Sequence, residues 1–406
     1  PLKGEEPGLD ELLADVVQKG VFQCTDDFTI IRECDAVTIA IQTPFKNPED
    51  LIPDLTALEE GLRQVGRYLT PGTLVVLEST ITPGTTCGWA RQILEEESRL
   101  LAGRDFALAH APERVMVGRL IQNIQEHDRI VGGIDEDSTR RATELYQPVL
   151  TKGQIIPMTA TAAEVTKTAE NTFRDLQIAA ANQLALYCEA MGVNFYDVRA
   201  GIDSLKGDGI TRAILWPGAG VGGHCLTKDT YHLERGINVA GISPLDFPKD
   251  HESLFTLARH VNDFMPSHML HLVKQGLSCV GKEVSGSRIA ILGFSFLPNT
   301  DDARNTPTEQ FYKVCIEHGA VVQIHDPWVH EYPGITLSSD IEPVLKDADV
   351  LVLMTAHRMY YALDFDWVKR MMRPCPVLVD RRNVVYSYVI IRAGFVYEGI
   401  VRWDKN

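Results

Sequence analysis

The sequence predicts two doubly wound α/β domains joined by a long central helix and an all-helical middle. Three observations carry this. Short β-branched runs alternate with helix-patterned segments from Val37 to Ala109 and again from Arg288 to Val379, which is the pattern of parallel sheets covered by helices. Between them, Thr161 to Met191 runs without Gly or Pro, and so long a helix commonly spans domains or subunits. The 406 residues exceed one ordinary core and fit two or three domains.

A helix pattern near Leu9 to Lys19 precedes the strand Val37 to Ile41, which Pro44 stops. Further helices follow over Leu55 to Tyr68 and around Trp89 to Leu101, with strands Thr73 to Leu77 and Phe106 to Ala109. Thr43, Ser79, Thr80, Glu113 and Arg114 fall just past strand ends, where ligands of such sheets lie, so they should share one crevice. No GxGxxG turn precedes the first strand, although a dinucleotide-binding half normally opens with one. Either the sequence is trimmed at its front or the fold differs. Along the central helix Lys167, Asn171 and Arg174 are spaced +4 and +3, setting three donors on one face. A second helical stretch, Ser253 to Leu277, should break at Pro266. Strands Arg288 to Leu292, Val321 to Ile324, Val350 to Leu353 and Val377 to Val379 then build the smaller α/β domain.

Composition excludes several functions. A net charge of −16 leaves no Lys/Arg surplus for nucleic acid. No apolar run reaches the ~18 residues of a membrane span. The eight cysteines show no CxxC pair and no metal-like spacing, as expected of free thiols in a cytoplasmic protein without a metal.

The chemistry concentrates in Gly218-Ala219-Gly220-Val221-Gly222-Gly223-His224-Cys225. Four glycines allow close backbone approach and deliver the chain to a thiol. If a helix begins there, Lys228 and Asp229 at +3 and +4 lie in its first turn, and a helix N-terminus with a nearby ammonium favours thiolate. Taken without the rest of the chain, a glycine loop with a buried, inert Cys is the better reading.

Five stretches together resemble the UDP-glucose/GDP-mannose 6-dehydrogenase family: Glu78 to Thr86, Pro112-Glu113-Arg114-Val115, Lys167 to Arg174, Gly218 to Asp229, and Asn299 to Arg304. The resemblance covers essentially the whole chain. It implies two Rossmann-like domains, with an NAD-binding domain over 1–158, a helical dimerisation domain over 159–280 carrying Cys225, and a UDP-sugar-binding domain over 281–406. It also implies NAD-dependent oxidation of a sugar C6 alcohol to a carboxylate through a cysteine thiohemiacetal and thioester. His224 and Glu113-Arg114 look like the branch acting on N-acetylated sugars, with UDP-N-acetyl-D-mannosamine the best fit. UDP-N-acetylglucosamine, UDP-glucose or a non-catalytic nucleotide-sugar-binding protein are the alternatives.

In the roles so implied, Cys225 is the nucleophile, Lys167 and Asn171 stabilise the C6 oxygen, Asp229 is the base or the group that orients water, and Glu113 with Thr80 assists hydrolysis. Arg114, Val115, Arg174, Arg212, Gly222 and Arg382 would hold the sugar nucleotide. Thr43, Ser79, Thr80 and Arg304 would hold NAD. A homodimer through the central helix is expected. The sequence departs from the family at Leu297, usually a lysine, and at Arg381, usually a glycine. Val117 takes the place of the glutamate found there in the UDP-glucose branch.

Overall fold

The computed structural model describes residues 6–46, 51–115, 118–204, 214–239, 253–381 and 384–400. They form two compact units, one of residues 4–172 with 228–251, the other chiefly of 173–227 with 252–406.

In the first unit α1 (Leu9–Gln18), β1 (Ala36–Ile39), α2 (Thr56–Tyr68), β2 (Leu74–Leu77), α3 (Arg91–Ser98) and β3 (Ala107–His110) follow the predicted alternation. The helix expected over Trp89 to Leu101 is shorter. Thr86–Ala90 forms a π turn, and Arg99 ends α3 in a left-handed conformation, φ 64°. After α4 (Leu120–Glu126) come two strands not expected from the sequence, β4 (Arg129–Gly133) and β5 (Ile155–Thr159), flanking α5 (Glu136–Tyr146). The sheet order is β1-β2-β3-β4-β5. All pairs are parallel except β3 with β4. Alternate residues of β3 feed opposite cores, Leu108 with α2 and α3, Ala107 and Ala109 with α5.

α6 (Ala160–Met191) is the long helix, 32 residues. α7 (Phe195–Asp203) follows, and α8 (Leu226–Val239) begins one residue after Cys225. α9 (Leu254–Cys279) runs through Pro266 without a break, contrary to expectation. A proline there removes only the bond its N–H would make to the Asn262 carbonyl. Met265, Met269, Leu272, Val273 and Leu277 bury the same helix deeply enough to hold it.

In the second unit β6 (Arg288–Leu292), α10 (Pro307–Glu317), β7 (Val321–His325), β8 (Leu337–Ser338), α11 (Ile341–Leu345), β9 (Val350–Leu353), α12 (Phe365–Met371), β10 (Val377–Asp380), α13 (Ser387–Ala393) and β11 (Val396–Gly399) give a parallel sheet. Its order is β11-β10-β9-β6-β7-β8. Ile289, Ile291, Val352 and Val379 face α9 and α10. Ala290, Leu292, Leu351 and Leu378 form the opposite core, which includes Val344, Val368 and Ile390 from α11, α12 and α13.

Candidate functional site

In the first unit the carboxyl ends of β1 and β2 are tied together by side chains that the sequence places at strand ends. Ser79 Oγ accepts from the Ile41 N–H at 2.9 Å, and Thr43 Oγ1 donates to the Thr80 carbonyl at 2.7 Å. Lys228, in the first turn of α8, is buried and reaches Thr43 Oγ1 at 3.5 Å. Beside it Asp229 is wholly buried; one carboxylate oxygen lies 3.4 Å from Lys228 Nζ, and the other accepts from Asn171 Nδ2 at 2.6 Å. Burial pushes the Asp229 carboxyl up, against the pull of Lys228 and Asn171. A carboxylate so raised is a better proton acceptor than a solvated one.

One helical turn before Asn171, Lys167 is buried and its ammonium donates to the Glu113 carbonyl at 2.5 Å. The Glu113 carboxyl accepts from the Val115 N–H and is raised by burial, with Lys167 opposing. Arg114 forms a bidentate pair with Glu170 at 2.8 and 3.0 Å. Thr43, Ser79, Thr80, Glu113, Lys167, Asn171 and Asp229 are thus linked to one another or to strand ends of one unit.

Two groups were not singled out from sequence. Glu164, wholly buried, accepts from Gly84 N, Thr86 N and Thr86 Oγ1 at 2.6–2.7 Å and so pins the Thr82–Thr86 turn to α6. His110 ends β3 fully buried, and burial lowers its imidazole to about 3, aided by the charge of Lys167.

In the second unit Cys225 is exposed, and none of the eight cysteines is in a disulfide. Arg304 is gripped by Asp302 at 2.9 and 2.6 Å, which raises its guanidinium pKa, and a negative Cys225 adds to the rise. A cation therefore stands within electrostatic reach of the sulfur. The glycine loop packs tightly against protein. Gly220 has φ +115°, and a Cβ there would lie 3.0 Å from the Asn262 carbonyl oxygen. At Gly222 a Cβ would lie 2.7 Å from Phe296 Cβ and 2.8 Å from Pro307 Cδ. The Phe296 turn is itself fixed by Asp326, which accepts from Phe294 N and Ser295 N and lies 3.1 Å from His357 Nε2. Arg174 is exposed on α6 and Leu297 is 39% exposed. Arg212, Arg382 and Val117 lie outside the described residues. Among the described residues no His, Cys, Asp and Glu cluster could hold a metal, and no helix is long and apolar enough to cross a membrane.

Three sequence profiles of one family match this chain. They are the NAD binding domain over residues 2–150, the central domain over 161–263 and the UDP binding domain over 290–387 of the UDP-glucose/GDP-mannose dehydrogenase family. The chain is 35% identical over 399 residues to the UDP-N-acetyl-D-mannosamine dehydrogenase of Pyrococcus horikoshii, covering 98% of this chain and 88% of that one. It is 34% identical to the NDP-N-acetyl-D-galactosaminuronic acid dehydrogenase of Ralstonia solanacearum, covering 93% and 85%. A crystal structure of NDP-N-acetyl-D-galactosaminuronic acid dehydrogenase from Methanosarcina mazei Go1 matches with a TM-score of 0.92 and 64% identity, over 99% of this chain and 85% of that one.

An oxidoreductase acting on nucleotide sugars is the class that fold and matches together define. The chain belongs to the UDP-glucose/GDP-mannose dehydrogenase family, and its cofactor is NAD. The chemistry of the residues present fits that cofactor: Thr43 follows the carboxyl end of β1, where dinucleotides bind in such sheets, and its hydroxyl lies 3.5 Å from the Lys228 ammonium, a polar and cationic pairing compatible with cofactor oxygens.

Proposed function

We propose that this protein oxidises the C6 alcohol of a UDP-N-acetylhexosamine to the uronate in two successive steps, with Cys225 holding the intermediate. The observation that carries the reading is the hydrogen bond at 2.6 Å between Asn171 on α6 and the buried Asp229 in the first turn of α8, with Lys167 one turn before Asn171. Bound NAD supplies the hydride acceptor. In the first oxidation C6 loses a hydride while its hydroxyl proton passes to a base, for which Asp229 is suited by its raised affinity for protons. The Cys225 thiolate adds to the aldehyde carbon, and the oxygen takes up a proton. Loss of a second hydride and that proton leaves a thioester. Water breaks the carbon–sulfur bond, returning the thiol and releasing the carboxylate. Negative charge gathers on the C6 oxygen at several points, and the Lys167 ammonium and Asn171 amide are donors suited to it. Glu113, raised by burial, is suited to deprotonate the attacking water with Thr80 as its neighbour in the chemistry. Arg114, Val115, Arg174, Arg212, Gly222 and Arg382 are assigned to the sugar nucleotide, and Thr43, Ser79, Thr80 and Arg304 to NAD.

The sugar is read as N-acetylated at C2, with mannosamine favoured by the Pyrococcus horikoshii relative. The 64% identity to the Methanosarcina mazei protein supports a second reading, an N-acetylgalactosamine sugar nucleotide. The three functional domains are assigned to 1–158, 159–280 and 281–406. A homodimer through α6 is supported by Phe173, Tyr187 and Met191, which are 57–60% exposed on one helical face.

The test is a panel of UDP-N-acetylmannosamine, UDP-N-acetylgalactosamine, UDP-N-acetylglucosamine and UDP-glucose, with NADH counted against product. Two NADH per acid formed, and the highest kcat/KM on an N-acetylated sugar, are expected. One NADH per product overturns the two-step reading. Sugar binding without turnover replaces the enzyme by a nucleotide-sugar sensor.

A further inference from the structure

We infer that Arg381 is a positioning residue that holds the Cys225 loop in place from the end of β10. Arg381 is 3% exposed. Its Nη1 donates to the Met354 carbonyl, just past β9, at 2.7 Å, and its Nη2 donates to the Gly220 carbonyl at 3.2 Å. Removing a guanidinium from water costs several kcal/mol, and a residue retained under that cost has its fork fixed by its acceptors. Here two of them are main-chain carbonyls, so the side chain constrains backbone: one arm is anchored on the sheet, the other on the glycine loop.

Gly218 and Gly223, on either side of Gly220, have fastenings of their own. Asn182 Oδ1 accepts from the Gly218 N–H at 2.8 Å, and Asn182 in turn donates to Asn262, which donates to Asp175. Gly223 N donates to the Arg304 carbonyl at 2.9 Å, and Asn305 Nδ2 donates to the Gly223 carbonyl at 3.2 Å. Arg381 supplies the hold between these two, on a glycine whose φ of +115° only a residue without a side chain adopts readily. A thiol that must add to one carbon and then survive a second oxidation gains from a loop with one conformation, since misplacement by about 1 Å costs on the order of 100-fold. This role rests on the proposed function for its catalytic consequence, but not for its structural one.

The test uses full-length Arg381→Met and Arg381→Lys beside wild type. The rate of Cys225 alkylation by iodoacetamide is followed by peptide mass spectrometry without substrate, with the exposed Cys24, Cys87, Cys279 and Cys375 as internal references. The expected result is a change of at least threefold in Cys225 alkylation for R381M with the reference cysteines unchanged, and partial return toward wild type in R381K, whose ammonium can still hold one carbonyl. Turnover should fall at least tenfold in R381M while KM for the UDP-sugar stays within threefold. Wild-type alkylation in a folded R381M overturns the inference, whatever happens to turnover. Should R381M not fold, faster amide exchange of residues 218–224 in R381K supports the clamp and unchanged exchange overturns it. Activity surviving in Cys225→Ser would defeat the proposed function, yet the alkylation and exchange comparisons would still decide the role of Arg381.

Discussion

Asn171 Nδ2 donates to Asp229 Oδ2 at 2.6 Å inside a region where Asp229 has no solvent exposure. The amide is therefore one of the forces holding down a carboxyl that burial pushes up. Asn171→Ala removes that force, so the Asp229 pKa should rise further and the acidic limb of the kcat–pH profile should move to higher pH. We expect kcat to fall ~10- to 100-fold at neutral pH, with part of the loss recovered at higher pH. An acidic limb that stays where it was would remove Asp229 from the role of base.

Cys225→Ser keeps the shape of the loop and replaces the sulfur by a poorer nucleophile. Overall acid formation should drop by ~1,000-fold or more. Free aldehyde trapped with a hydrazine should then account for whatever NADH still appears. Acid formed at the wild-type rate would show that the sulfur takes no part.

His110 is neutral in the fold, its pKa lowered from 6.5 to about 3. An unfolded chain takes up a proton at this ring near pH 6.5, so the contribution of the neutral ring is complete above that pH and declines as pH falls toward 3. By pH 4 the loss is about 3 kcal/mol. His110→Gln should flatten the fall in urea midpoint between pH 6.5 and 4, relative to wild type. Parallel pH curves for the two proteins would show that the ring does not drive acid lability.

Gly222→Ala should cost about 1–3 kcal/mol and lower kcat, because the new methyl meets Phe296 Cβ and Pro307 Cδ below 3.0 Å. Phe296→Leu should fail to rescue it, since that change leaves the clashing Cβ in place. Thermal melts of the single and double variants decide: full rescue would mean that the ring, not the backbone spacing, sets the conflict.

The sequence was most legible where a local pattern decides structure. Thr161 to Met191 reads as one helix because nothing in it breaks one, and α6 spans Ala160–Met191. Ile289 to Leu292 and Val350 to Leu353 read as strands because they are continuous apolar runs, and they are β6 and β9. β4 and β5 were missed because Gly132 and Gly133 weaken one pattern and Pro157 interrupts the other. Much of the candidate site was visible as residue types at strand ends. What supports them was not: Asn182 with Gly218, Glu164 with Thr86 and Arg381 with Gly220 are 36, 78 and 161 residues apart, and no periodicity encodes such pairs. Arg381 stood out only as a departure from a family habit, and its neighbours explain it.

The proline in α9 reverses a familiar engineering rule. Elsewhere, exchanging Pro266 for alanine would be the first step toward a hardier helix. Here the exchange would give the Asn262 carbonyl a new intrahelical donor at the spot where Gly220 runs closest. The helix and the surface against which Gly220 lies would change together, so melting temperature alone is a poor guide to improvement at this position.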